Sequence, residues 1–193
     1  MTISYGRWQS YPWKNELALQ SERVAIHYAE MLRDDSSIEH SPMDMLDRAI
    51  VLAAFAMRRM IEKRLITDKL ASEKIAVRIF QSLRSKEFRE PFISHSGGGA
   101  FRNYNFSKHG TRVLKINDVA NEIIHSSQLM FVHDEETIPT GLLIASDLHL
   151  KDKVLHLSIE EFSAMAKRVL DDRVTFTTDR WDCQTGKVCA IRK

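Results

Sequence analysis

Arg102 and His109 are the residues whose types and spacing point most directly to chemistry, with Asn103-Tyr104-Asn105-Phe106-Ser107-Lys108 between them. An imidazole titrates near neutral pH and can move protons. A guanidinium stays charged and can hold a phosphate through two parallel N–H groups. The pair lies in a longer stretch where Arg84, Lys86, Arg89, Arg102, Lys108 and Arg112 interleave with Phe88, Phe92, Phe101, Tyr104 and Phe106. Basic groups track phosphates and exposed aromatic faces stack bases, so the pattern suits single-stranded nucleic acid. It predicts a binding surface of Arg84, Lys86, Arg89, Phe101, Tyr104, Lys108 and Arg112 around a catalytic pair, His109 and Arg102. The competing reading turns the aromatics inward as anchors of a long loop and leaves the charges as a solvated rim.

The Arg102 to His109 spacing is similar to the Arg-x4-6-His motif of the HEPN ribonucleases, in which a polar residue, often Asn, follows the Arg. That resemblance implies metal-independent attack of a 2′-hydroxyl on the scissile phosphate, on a scaffold where helices come before the motif. Ser146-Asp147-Leu148-His149-Leu150, after the apolar run Leu142 to Ala145, is similar to the first metal-binding motif of the metallophosphoesterases. There Asp and His hold one ion of a two-metal site. Only 44 residues follow His149, and none forms a Gly-Asp, Gly-Asn-His or Gly-His element for a second ion. Asp147 is therefore expected to start a turn, with His149 on a strand edge.

Other chemistry is poorly supported. Gly97-Gly98-Gly99 lacks the Lys-Ser/Thr ending of a P-loop, and no Gly-x-Ser-x-Gly elbow accompanies His95-Ser96-Gly97. The eight histidines include no His-x-His or His-Glu-x-x-His spacing, and His125 and His156 read as packed residues. Cys183 and Cys189 are too few for a tetrahedral zinc site and unlike a disulfide scaffold. No metal and no cofactor is expected. Met43, Met45, Met57 and Met60 read as core filling.

The formal charge of +2 conceals an imbalance. Between Arg58 and Lys115, fourteen Lys or Arg face five Asp or Glu, a local charge of +9 that leaves −7 elsewhere. An anionic partner would exploit such asymmetry. The N-terminus shows no secretory h-region, and the longest apolar run, Ala49 to Met57, falls well short of the roughly 20 residues needed to span a bilayer. A cytoplasmic chain with no membrane contact is expected.

The elements that must position these residues follow from periodicity and caps. Leu17, Val24, Tyr28 and Met31 make one face of a helix over 14–33. Ser41-Pro42-Met43-Asp44 opens a second helix running to about Leu65, with Leu46, Ile50, Ala53, Met57 and Met60 as its core stripe. Asp68 caps a third to about Leu83, with Leu70, Ile75, Ile79 and Leu83 inward and Lys69, Glu73, Lys74 and Arg78 in solvent. A long loop fills 85–111, and helix returns over 115–127. Strands are expected at Gln128 to Val132, Gly141 to Ala145 and Val154 to Leu157. The capping box Ser158-Ile159-Glu160-Glu161 opens a helix to about Asp172, and a hairpin turning at Gln184 to Lys187 ends the chain.

The composition is that of an ordinary globular chain. The fold class is α+β: a helical N-terminal layer of about three helices, then a mixed or antiparallel sheet carrying one or two further helices. One domain is expected over 1–193, with a helical part over 14–83, the loop over 85–111 and an α/β part over 115–193. The functional expectation is single-stranded RNA or DNA binding, extended to RNA cleavage by Arg102 and His109. The alternative is a noncatalytic subunit that docks on a protein partner or on a second copy of itself.

Overall fold

The computed structural model describes residues 10–33, 41–83, 103–133 and 140–193. Pro12 in the first turn opens α1 (Tyr11–Met31), which buries Leu17, Gln20 and Val24. The Ser41 hydroxyl accepts the Asp44 N–H at 3.4 Å, and Pro42 starts α2 (Pro42–Glu62). All five residues of the expected α2 stripe are buried, together with Ala49, Ala54 and Ala56. This helix ends in a Schellman turn: the Leu65 N–H reaches the Met60 carbonyl at 2.8 Å, the Arg64 N–H reaches Ile61 at 3.0 Å, and Arg64 takes a left-handed φ of 53°.

The third helix is far shorter than its spacing predicts. Thr67 caps α3 (Asp68–Ser72), and the chain then becomes β1 (Lys74–Gln81). Ile75, Val77 and Ile79 are β-branched and alternate with Lys74, Ala76 and Arg78, so the extended backbone buries one side where a helix would spread these residues around its axis. After Ser82 and Leu83, β2 (Gly110–Lys115) returns antiparallel to β1. The 103–109 part of the expected loop is pinned: Asn105 N–H donates to the Gln81 carbonyl at 2.9 Å and Leu83 N–H to Asn103 at 2.8 Å.

Next come α4 (Ile116–Ile124), β3 (Ser126–Val132), β4 (Gly141–Ser146), β5 (Lys153–Leu157) and α5 (Ile159–Asp171). The Ser158 hydroxyl accepts the Glu161 N–H at 3.1 Å and the Glu161 carboxylate accepts the Ser158 N–H at 2.9 Å, completing the capping box read from sequence. The five strands pair antiparallel in the order β2-β1-β5-β4-β3. Because β2 and β3 are opposite edges, α4 crosses the sheet between them. The hairpin β6 (Thr177–Asp182) and β7 (Lys187–Arg192) forms a separate two-stranded sheet, tied back where the Arg192 N–H meets Asp68 Oδ2 at 2.8 Å. The fold is α+β, helical in its N-terminal part, with an antiparallel sheet toward the C-terminus.

The pleat divides the sheet into an inner and an outer face. Val77, Leu114, Leu142, Ile144, Leu155 and Leu157 point inward and share one core with the buried sides of α1, α2, α4 and α5. Lys14 braces this layer by donating its ammonium to the last carbonyls of α5, Leu170 (2.8 Å) and Asp172, and burial lowers its pKa. The Asp172 carboxylate accepts both the N–H and the hydroxyl of Thr67 at 2.7 Å. A smaller cluster of Phe80, Tyr104, Val132, Leu143, Ala145 and Val154 lies on the outer face. Among the described residues, no helix is long and apolar enough to cross a membrane.

Candidate nucleic-acid interface

Cross-strand register sets the side chains on the outer face of β1 and β2. Lys74 stands opposite Lys115, Ala76 opposite Val113 and Arg78 opposite Thr111. All six are exposed, Val113 at 57%, and none is acidic. Like charges directly across an antiparallel pair repel, so the Lys74–Lys115 pair raises the local positive potential at a cost to the sheet. Among the described residues, neither lysine nor Arg78 has an ion-pair partner. Beyond Thr111 the exposed Lys108 and His109 continue this edge, the His109 ring standing 6.4 Å from Phe80 in an edge-to-face contact.

The expected site residues separate. Arg84, Lys86, Arg89, Phe101 and Arg102 lie outside the described residues, as do Phe88 and Phe92. Lys108 and His109 are exposed. Tyr104 is placed differently from its expected role. It is 3% exposed, its hydroxyl donates to the Leu150 carbonyl at 2.6 Å, and burial holds its phenol far above the usual range. Such a ring clamps the loop to the sheet and has no face for a base. Phe106 packs beside it, 4.8 Å from Phe80. Arg112 is exposed but shares register with the inward-facing Val77, so it leaves the β1–β2 outer face. Its charge, after burial, lowers the pKa of Lys153.

Lys74, Arg78 and Lys115 were not among the expected binding residues. The signal for them was the alternation Ile75-Ala76-Val77-Arg78-Ile79, which marks a strand with cations on its polar side. Thr111-Arg112-Val113-Leu114-Lys115 shows no such alternation, and Lys115 joins the surface only through its pairing with Lys74.

The Ser146-Asp147-Leu148-His149 motif forms the turn after β4. His149 lies within that turn and not on a strand edge, with its N–H on the Ser146 carbonyl at 2.9 Å. Its Nδ1 meets the Glu122 carboxylate at 2.7 Å and the Ser146 hydroxyl at 3.3 Å. Both contacts fall on one nitrogen, whereas a nucleophile–base–acid relay needs the hydroxyl and carboxylate on opposite ring nitrogens. The cluster ties the β4–β5 turn to α4. Among the described residues, no group of three metal-ligating side chains converges. His156 is 2% exposed and packs edge-on to Phe80 at 6.3 Å, while His125 closes α4 with its Nε2 3.1 Å from Arg58 Nη1. Cys183 is exposed and free. In comparisons with family models, curated proteins and solved structures, the chain matches none.

Proposed function

We propose that this chain binds single-stranded nucleic acid, RNA foremost, across the open outer face of β1 and β2. The supporting observation is the register that sets Lys74 opposite Lys115 beside Arg78, on exposed sheet positions holding no acid. A phosphate backbone laid along these strands would relieve the repulsion between the lysines and release its own counterions. Lys108 and His109 extend the track at one end, and the Arg84 to Arg102 stretch adds cations and aromatic rings in sequence next to it.

The proposed activity at this track is metal-independent RNA cleavage. His109 would take the 2′-hydroxyl proton and Arg102 would neutralise the phosphate as the 2′-oxygen bonds to phosphorus and the P–O5′ bond breaks, leaving a 2′,3′-cyclic phosphate and a 5′-hydroxyl that receives its proton from solvent. Fluorescence anisotropy with labelled single-stranded RNA tests binding: Lys74, Arg78 and Lys115 changed together to Ala should weaken it at least about tenfold at moderate salt. His109→Ala should leave binding nearly unchanged and abolish cleavage, because the three cations of the track hold the phosphates while His109 would serve only the proton transfer. Cleavage that survives His109→Ala removes the catalytic half of the proposal, and unaltered affinity in the triple variant removes the sheet-face track.

A further inference from the structure

The first turns of α1 and the second half of α2 meet at a groove of about 300 Å³ lined by Pro12, Trp13, Glu16, Leu52 and Phe55. Helical spacing gathers the lining: Glu16 is four residues from Pro12 and three from Trp13, and Phe55 is three from Leu52. Although α2 buries its core stripe, its Phe55 ring is 44% exposed. The Trp13 and Phe55 rings stand 5.9 Å apart with their planes at 64°, so two aromatic walls meet at a corner. Trp13 already takes one cation: the Arg59 guanidinium, outside the groove's lining, stands 5.6 Å from its centroid. Among the described residues Glu16 is the single charged member of the lining, and it is held in place. The buried Gln20 amide donates to Glu16 Oε1 at 2.7 Å, which leaves Oε2 for a countercharge.

We propose that this groove binds a trimethylammonium group, of the kind carried by choline or by a trimethylated lysine side chain. The charge of the lining selects a cation, because an anion would meet both the Glu16 carboxylate and the negative faces of the rings. The scarcity of acceptors selects a methylated one. A primary ammonium brings three N–H donors, and a groove with one acceptor side chain would leave two of them unpaired. A trimethylammonium has no donor to satisfy. Its methyl groups would pack on Pro12, Leu52 and the two rings, while its charge is attracted by the ring faces and by Glu16. The volume suits a head group and not a length of polymer, being at the small end of ligand pockets. The groove belongs to the helical layer, so this binding does not rest on the nucleic-acid reading of the sheet face.

Titration of the full chain with choline, followed through the Trp13 indole N–H signal in proton–nitrogen correlation spectra, tests this. The signal should shift and saturate at millimolar ligand. The uncharged carbon isostere of choline, 3,3-dimethylbutanol, should bind about tenfold more weakly. Glu16→Gln should weaken choline binding severalfold with an unchanged melting temperature, because an amide oxygen at this position still accepts the Gln20 hydrogen bond. Phe55→Leu keeps an apolar surface but removes the π-face, and should also weaken it. Arg59→Ala should preserve or tighten it, because a cation beside the ring is removed. A peptide carrying trimethyl-lysine, run in parallel, distinguishes the source of the group: tighter binding of choline points to a free small molecule, and tighter binding of the peptide to a modified side chain. Equal affinity for choline and its uncharged isostere overturns the proposal and leaves only an apolar groove. No saturable shift with either choline or the peptide overturns it as well.

Discussion

On β5, β4 and β3 the outer-face positions Val154, Ala145, Leu143 and Val132 are at most 4% exposed, whereas on β1 and β2 the same face leaves Val113 57% exposed between Lys74, Lys115 and Arg78. One continuous pleat therefore carries two different surfaces. The covered half is closed by Tyr104, whose ring joins the small cluster and whose hydroxyl is spent on the Leu150 carbonyl. The boundary falls along one cross-strand row, Thr111, Arg78, His156, Leu143, which passes from exposed to buried between β1 and β5. An apolar half anchors the sheet and a basic half is left open, so changes in the first should act on stability and changes in the second on binding.

The largest expected effect lies in the covered half. Gly141 has φ of 152°, and a Cβ there would meet His156 Nε2 and the Leu157 carbonyl oxygen, each at 2.8 Å. Backbone strain and overpacking act together, so Gly141→Ala should cost about 3 kcal/mol or more in a urea melt. A melt unchanged by that substitution would break the picture of a tightly closed half. Tyr104→Phe should cost about 1–2 kcal/mol, because the part-buried Leu150 carbonyl loses its donor.

Tyr104 also has a pH signature. Its phenol is raised above the ordinary value by burial, so the folded state keeps a proton that the unfolded chain releases more readily. The resulting stability is complete below about pH 10 and is lost as pH rises further through the folded value. Melts from neutral to strongly alkaline pH should show the wild type losing its advantage over Tyr104→Phe only at the alkaline end.

The open half should respond in the opposite sense. Lys74→Glu places a carboxylate opposite Lys115 and should stabilise the β1–β2 pair by about 0.5 kcal/mol while weakening RNA binding. A variant that loses both stability and binding would mean that the open half is structural too.

Much of the scaffold is legible in the sequence because its signals are local. Ser41-Pro42 and the Ser158–Glu161 box fix helix starts through hydrogen bonds made within one turn. Segment 74–81 misleads for a definite reason. Residues four apart share a side in a helix and also in a strand, so Lys74 and Arg78, or Ile75 and Ile79, fit either period. Val77, buried two residues from each isoleucine, distinguishes them. The proposed binding surface inherits that ambiguity, since Lys74 meets Lys115 only through long-range pairing with β2. Tyr104 is harder still: residue type alone does not say whether a loop aromatic turns inward, and its partner Leu150 lies 46 residues away.

The salt dependence of single-stranded RNA affinity, measured in parallel for the wild type and for the variant with Lys74, Arg78 and Lys115 all changed to Ala, tests the open-face account most directly. Each phosphate contact on a single strand adds about 0.7 to the slope of log affinity against log salt, so the variant should lose about two units of slope. Identical slopes for the two proteins, or no RNA binding by the wild type at low salt, would contradict it.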